Sequence, residues 1–174
     1  MYSIDEKYPT KYRHITKILQ IEPSCYDEGD KNSIIDAKIQ VKINDKLFWC
    51  WIPDWRSIFP YNPQGGPIIY GVGNELISNL IGKEIEIGFR ILALNHSISN
   101  KKIKSIIGTS PKHKERNKLI GQICDIIPRD KWFDVYIDCG VFVGGIPKFI
   151  DTLSIGDFIE VEGRFDGYIL AVND

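Results

Sequence analysis

Two tryptophans, Trp49 and Trp51, lie two positions apart, shortly after a segment that carries Lys38, Gln40 and Lys42 at the same spacing. In an extended strand, alternate residues project from the same face. Aromatic rings stack on bases or sugars, and ammonium groups neutralise phosphate. These residue types at this spacing indicate a surface that binds a ligand rather than a centre that breaks bonds.

The turn between these two segments decides whether the five residues share one surface. A two-residue turn at Asn44 and Asp45 would make a hairpin of the two segments. The facing pairs would then be Lys38 with Trp51, Gln40 with Trp49, and Lys42 with Leu47. Phe48, Cys50 and Ile52 would point into the core. A three-residue turn would reverse this register and bury both tryptophans.

The tryptophans also have an alternative, purely structural interpretation. The segment 53–80 adds four more aromatic residues, Trp55, Phe59, Tyr61 and Tyr70. Aromatic side chains contribute to stability mainly by burying area. The rings at positions 49 and 51 could therefore pack beneath this segment instead of contacting a ligand.

An internal repeat gives the strongest indication of the fold. Ile81–Ile91 and Ile155–Phe165 are identical at five of eleven positions, and both alternate apolar and polar residues as half-buried strands do. Upstream, Ile15–Pro23 resembles Ile120–Pro128, each a predicted strand that ends at a proline. Both halves therefore read as three strands, a connecting segment and two more strands.

This order of elements resembles the oligonucleotide/oligosaccharide-binding (OB) fold, a five-stranded barrel with a helical element between its third and fourth strands. Residues 156–170, GDFIEVEGRFDGYIL, resemble the last hairpin of that fold, with Asp166 and Gly167 as its tight turn. The resemblance implies an all-β protein with short helices, built as two tandem small five-stranded OB-like barrels. An SH3-like or other small barrel is the alternative.

The predicted domain boundaries follow from the repeat. The first barrel occupies residues 1–110, with an aromatic-rich insertion at 53–80 between its third and fourth strands and a short helix at Asn74–Leu80. Ser97–Ile107 would supply its fifth strand. A polar, basic linker at 111–117 then leads to a compact second barrel at 118–174.

The charge of the chain is unevenly distributed. The net charge is −1, but the stretch Ser99–Lys118 contains seven Lys or Arg residues and one acid. Lys101 and Lys102 in this stretch could assist in binding phosphate, or could simply keep a linker solvated. The second half carries ten acids and five bases, which makes it a poor surface for phosphate.

Signatures of catalysis, metals and membranes are weak in this sequence. The four cysteines and three histidines are scattered, and no Walker A loop, G-x-S-x-G elbow or H-E-x-x-H helix occurs. Glu86 with Arg90, and Glu160 with Arg164, are predicted to form exposed ion pairs along strands. We expect no enzyme activity, no cofactor, no metal and no membrane contact, and we expect a cytoplasmic protein.

The sequence thus favours a non-catalytic module that binds single-stranded nucleic acid on the face of the second and third strands. The residues expected to form this site are Lys38, Gln40, Lys42, Trp49, Trp51, Trp55, Lys101 and Lys102. The alternative function is protein–protein interaction or oligomerisation, with another protein or a second copy of the chain docking on the aromatic insertion. Oligosaccharide binding would use the same stacked rings.

Overall fold

The computed structural model describes residues 3–25, 34–53, 80–130, 133–145 and 152–173. A helix α1 (Ile4–Lys7) and a 3-10 turn (Thr10–Tyr12) precede the strands. The strands are β1 (His14–Cys25), β2 (Ile34–Ile43), β3 (Lys46–Ile52), β4 (Glu84–Ile98), β5 (Ser105–Gly108), β6 (Arg116–Pro128), β7 (Phe133–Asp138), β8 (Phe142–Val143) and β9 (Phe158–Asn173). The prediction of an all-β protein is confirmed.

Five of the strands close into a barrel. Around the ring the order is β3, β2, β1, β4 and β9, and the ring closes where β3 runs parallel to β9 at Trp51 and Asp166. This arrangement is compatible with an OB-like fold. Strands β5, β6, β7 and β8 lie outside the ring, so a second, separate barrel is not confirmed.

The strand that closes the ring is not the predicted one. Ser97–Ile107 was expected to be the fifth strand, but β4 extends to Ile98 and β9 closes the barrel instead. The predicted turn at Asp166 and Gly167 is also wrong, because both residues lie inside the continuous strand β9. Gly167 fits there for a different reason: a Cβ atom would come within 3.0 Å of buried side chains of β3 and β4, which would have to shift.

The repeated segments form the same local pairing. In one copy Gly82 donates its N–H to the Ile18 carbonyl, and in the other Gly156 donates to that of Ile123. Both glycines have positive φ, +85° and +99°, which favours glycine over any residue with a Cβ. Thr16 pairs with Ile85 as Gly121 pairs with Ile159. The eleven-residue repeat in the sequence therefore corresponds to a repeated strand pairing.

Strand β9 joins the two halves of the chain. It pairs with β4 from Asn173 back to Ile159, and its first part also pairs with β6. Residues 111–115 of the predicted linker lie in the turn between β5 and β6, and Arg116 already begins β6. The predicted division of the chain into domains at 111–117 stays a prediction.

The core consists of inward-facing apolar residues from strands that precede and strands that follow the turn between β5 and β6. Along β9 the buried and half-buried positions alternate, as expected for a strand with one face inside. Phe48 packs edge-on against Phe89 and Phe165 inside the ring, with ring centroids 5.3 and 5.7 Å apart. Burial of these residues holds β3, β4 and β9 together.

The N-terminal segment packs against both the ring and the strands outside it. Tyr8 stacks on Tyr168 of β9, and Tyr12 stacks on Tyr136 of β7. Within the described parts of the chain, no helix has the length and apolar character needed to cross a bilayer.

Candidate nucleic-acid interface

The hairpin of β2 and β3 has the predicted register. Asn44 and Asp45 form a two-residue turn, with Asn44 at a φ of +55°. The facing pairs are Lys38 with Trp51, Gln40 with Trp49, and Lys42 with Leu47. Phe48, Cys50 and Ile52 are buried, while Trp49 and Trp51 are half-buried. Both tryptophans therefore lie on the outer face of the barrel, as the two-residue turn predicts.

Trp49 lies beneath a lysine from the turn between β5 and β6. The Nζ atom of Lys114 is 4.7 Å from the centroid of the Trp49 ring. The same Nζ atom forms an ion pair of 2.8 Å with Glu22 of β1. The side-chain amide of Asn117 donates a hydrogen bond of 3.0 Å to the Trp49 carbonyl oxygen. The backbone of Trp49 is thus held by Asn117, and its ring is covered on one side by the ammonium group of Lys114.

The guanidinium group of Arg164 lies over the Trp51 ring in the same way. The Cζ atom of Arg164 is 3.9 Å from the centroid of the Trp51 ring. Its Nε and Nη2 atoms donate to the two carboxylate oxygens of Asp166 at 2.6 and 2.9 Å. This bidentate contact orients the guanidinium plane. The strand that closes the barrel therefore also contributes a cation to the tryptophan face.

The predicted ion pairs between Glu86 and Arg90, and between Glu160 and Arg164, are wrong. Instead Glu86 lies 3.4 Å from Arg13, Arg90 lies 2.7 Å from Asp134, and Glu160 lies 2.6 Å from Lys118. Each of these partners comes from another element of the fold. Residues four positions apart on an extended strand are about 13 Å apart, which is too far for a close ion pair.

Lys38 is already paired within the chain. Its Nζ atom lies 3.0 Å from Oε2 of Glu115, and His113 lies 3.8 Å from the other oxygen of the same carboxylate. Burial raises the pKa of Glu115, but its own backbone N–H and the nearby ammonium group of Lys38 outweigh burial and lower that pKa. Glu115 is therefore ionised at neutral pH and neutralises Lys38.

The remaining predicted site residues divide into three groups. Gln40 is half-buried and Lys42 is exposed on the outer face of β2. Lys101 and Lys102 are exposed in the loop before β5, at the end of that strand opposite the turn that reaches Trp49. Trp55, the predicted helix Asn74–Leu80 except for Leu80, and the other aromatic residues of the insertion lie outside the described residues.

Sequence reasoning missed the three residues that cover this face. Lys114 belongs to the predicted basic stretch without an assigned contact, and the prediction for Arg164 is a pair with Glu160 rather than a contact with Trp51. Glu115 was the single acid in that stretch. The sequence does place Glu115 beside Lys114 within the basic stretch. Nothing in the neighbouring residues shows that Lys114 contacts Trp49 or that Glu115 contacts Lys38.

Cys50, Cys124 and Cys139 are free thiols. Cys50 and Cys139 are buried, and burial raises the pKa of Cys139 to about 12. These two thiols are therefore protonated at neutral pH and are poor nucleophiles. In the described ranges, no three His, Cys, Asp or Glu side chains lie together in a way that could hold a metal ion.

Comparison of the chain with protein-family models gives no match. Comparison with curated proteins gives none either.

Proposed function

We propose that this protein is a non-catalytic module that binds single-stranded nucleic acid on the outer face of β2 and β3. The observation that carries the proposal is the pair of half-buried tryptophans with cations 3.9 and 4.7 Å from their rings. A single strand requires rings on which its bases can stack and cations that neutralise its phosphates, and here the cations lie over the rings and would move to phosphates as the bases bind.

The charges near the two rings support this assignment. Arg164 and Lys114 lie on the rings, and Lys42 is exposed on the same face of β2. Arg116 is exposed directly opposite Arg164 in the pairing of β6 with β9. Basic residues therefore extend from the tryptophans across two neighbouring strands, a path along which a phosphate backbone can run.

The test is a fluorescence titration of the whole protein with short single-stranded oligothymidylate and oligouridylate at low salt. We expect quenching of tryptophan fluorescence, and an affinity that falls steeply as salt rises. Trp49→Ala should weaken binding by about 1–3 kcal/mol, the usual contribution of one stacked base.

Leu47→Ala is the matched control, because Leu47 is 54% exposed on the same strand but has no stacking ring. Its affinity should equal that of the unaltered protein. Absence of binding at low salt, or equal affinities for Trp49→Ala and the unaltered protein, would reject the proposal. A stable oligomer without any affinity for oligonucleotides would favour the protein-interaction function instead.

For the fold, we propose a pair of OB-like units that share β4 and β9. The support is a second parallel contact that resembles the one between Trp51 and Asp166. Gly144 forms a parallel bridge with Arg90, and its N–H and carbonyl groups bond to Phe89 and Ile91 of β4 at 3.0 Å. Arg90 occupies the same position in the repeat as Arg164, beside Asp166.

A further inference from the structure

We propose that the turn between β5 and β6, residues 109–115, competes with nucleic acid for the tryptophan face, with the Glu115 carboxylate taking the place of a phosphate on Lys38. This inference rests on the proposed function and describes how that face is regulated. The turn belongs to the same chain, so the competition is intramolecular and does not depend on protein concentration.

The ion pair between Lys38 and Glu115 occupies an ammonium group that a phosphate could bind. Lys38 lies on the outer face of β2 opposite Trp51, where a bound strand would place its backbone. Its Nζ atom is 3.0 Å from a carboxylate oxygen, and the two side chains are only 21% and 12% exposed. A phosphate that approaches this ammonium competes with the carboxylate for it, so the pair opposes binding.

The position of Glu115 is fixed by its backbone. Its carbonyl oxygen accepts hydrogen bonds from the Phe165 N–H at 2.9 Å and from the Asn117 amide at 3.1 Å. Phe165 belongs to the strand that closes the barrel, and Asn117 also holds the Trp49 carbonyl. The carboxylate is therefore delivered to Lys38 by a rigid part of the fold, and only its side chain can swing away.

Lys114 occupies the neighbouring ring but should affect binding differently. Its side chain is 38% exposed, and that of its partner Glu22 is 48% exposed, so these contacts exchange easily with water. An ammonium group that leaves the Trp49 ring can bind a phosphate of the incoming strand. The contact that Lys114 loses with the Trp49 ring is then offset by its contact with the phosphate. The group that opposes binding is therefore Glu115.

The decisive variant is Glu115→Gln, measured by the anisotropy of fluorescein-labelled oligothymidylate over a series of salt concentrations. We expect binding to be tighter by about 3- to 10-fold, as removal of one partly buried opposing pair implies. The slope of log affinity against log salt should steepen by about one unit, because Lys38 now contacts a phosphate.

A double-mutant cycle tests the role of Lys38 directly. Lys38→Gln should lower the affinity of the unaltered protein modestly, because Glu115 loses its counter-charge although no phosphate contact is lost. In the Glu115→Gln background the same change should abolish the gain. Glu115→Asp keeps the charge but withdraws it from Lys38, so it should give a smaller gain in affinity. This variant replaces Glu115→Gln in the test if Glu115→Gln lowers the melting temperature.

Asp45→Asn is the control for general charge, since it removes a carboxylate from Lys46 at the hairpin tip, away from the rings. Equal or weaker binding by both Glu115 variants, with binding of the unaltered protein intact and sensitive to Trp49→Ala, overturns the competition but leaves the proposed function standing. An equal gain from Asp45→Asn also overturns it. No binding by any form at low salt rejects the proposed function itself.

Discussion

Arg164 and Trp51 come from strands that meet at only one parallel pair, yet the guanidinium carbon lies 3.9 Å from the centroid of the indole ring. The guanidinium is held in place by Asp166, the residue that pairs with Trp51 where the ring of strands closes. One group of three side chains thus lies at the closure of the barrel and on its candidate binding face.

Replacing Arg164 by alanine should weaken the barrel and expose Trp51. We expect a loss of about 1 kcal/mol in the free energy of unfolding, and stronger quenching of tryptophan fluorescence by acrylamide. Arg164→Lys should lie in between, because lysine keeps the charge but not the planar bidentate contact. Arg116→Ala, an exposed neighbour, should change the stability by less than about 0.5 kcal/mol. Equal losses for the two alanine variants in urea unfolding would contradict the role of the stacked contact.

Gly163→Ala should destabilise the pairing of β4 with β9. A Cβ atom at this position would collide with the backbone carbonyl of Leu92 and come within 3.0 Å of Ala93, where no side-chain movement can relieve the contact. We expect a cost of about 2 kcal/mol in urea unfolding, which is typical of overpacking. Gly108→Ala is the control, since its Cβ would meet nothing within 4 Å. A Gly163→Ala protein as stable as this control would show that the two strands can separate locally.

Asp134 should be one of the most sensitive polar positions. Its carboxylate is almost fully buried and accepts hydrogen bonds from Arg90 at 2.7 Å and from Arg129 at 2.9 Å. Asp134→Asn should cost about 3 kcal/mol, because two guanidinium groups lose their counter-charge in a poorly hydrated place. Asp45→Asn breaks a pair in which the carboxylate is 78% exposed, and should leave the urea midpoint unchanged. A small effect at Asp134 would mean that water replaces the carboxylate.

Stability should fall in acid partly through Asp125. Burial raises the pKa of this carboxyl, but hydrogen bonds from Lys11 and Tyr12 and the charge of Lys11 outweigh burial, so the pKa lies below its ordinary value of 3.8. The contribution of Asp125 is therefore fully present above that value and disappears as pH falls through the lowered pKa. Melting temperatures measured from neutral to acidic pH should decline less steeply for Asp125→Asn. An identical slope for both proteins would exclude this contribution.

Residues 1–110 should not fold by themselves, because the barrel they begin is closed by β9. We expect the isolated fragment to lack a cooperative thermal transition in circular dichroism. A matched control is the full chain cut by a protease at a site inserted in the turn 109–115, which keeps β9 and should stay folded. A cooperatively folding fragment would support the division of the chain at residues 111–117.

The extent to which this structure could be predicted differs between local and distant contacts. The hairpin of β2 and β3 was predictable residue by residue, because alternation and a two-residue turn determine its register. The strand that closes the barrel was not, since Gly167 is compatible with a turn as well as with a close approach inside a strand. The cations that lie over the tryptophan rings could not be predicted either. Lys114 and its partner Glu22 are 92 residues apart, and no sequence pattern connects them.

The pairing of β4 with β9 also sets the order in which this protein can fold. Asn173 contacts Glu84 across a separation of 89 residues, whereas β2 and β3 are joined by two residues. Hairpins form in roughly microseconds, but contacts between distant residues must first overcome the entropy of closing a long loop. During synthesis the hairpin can therefore form early, and β4 can pair with β1, while the edge of β4 that faces β9 stays unpaired until β9 is translated. Such an exposed strand edge invites association with other chains, so the unfinished barrel is most open to aggregation before β9 is made.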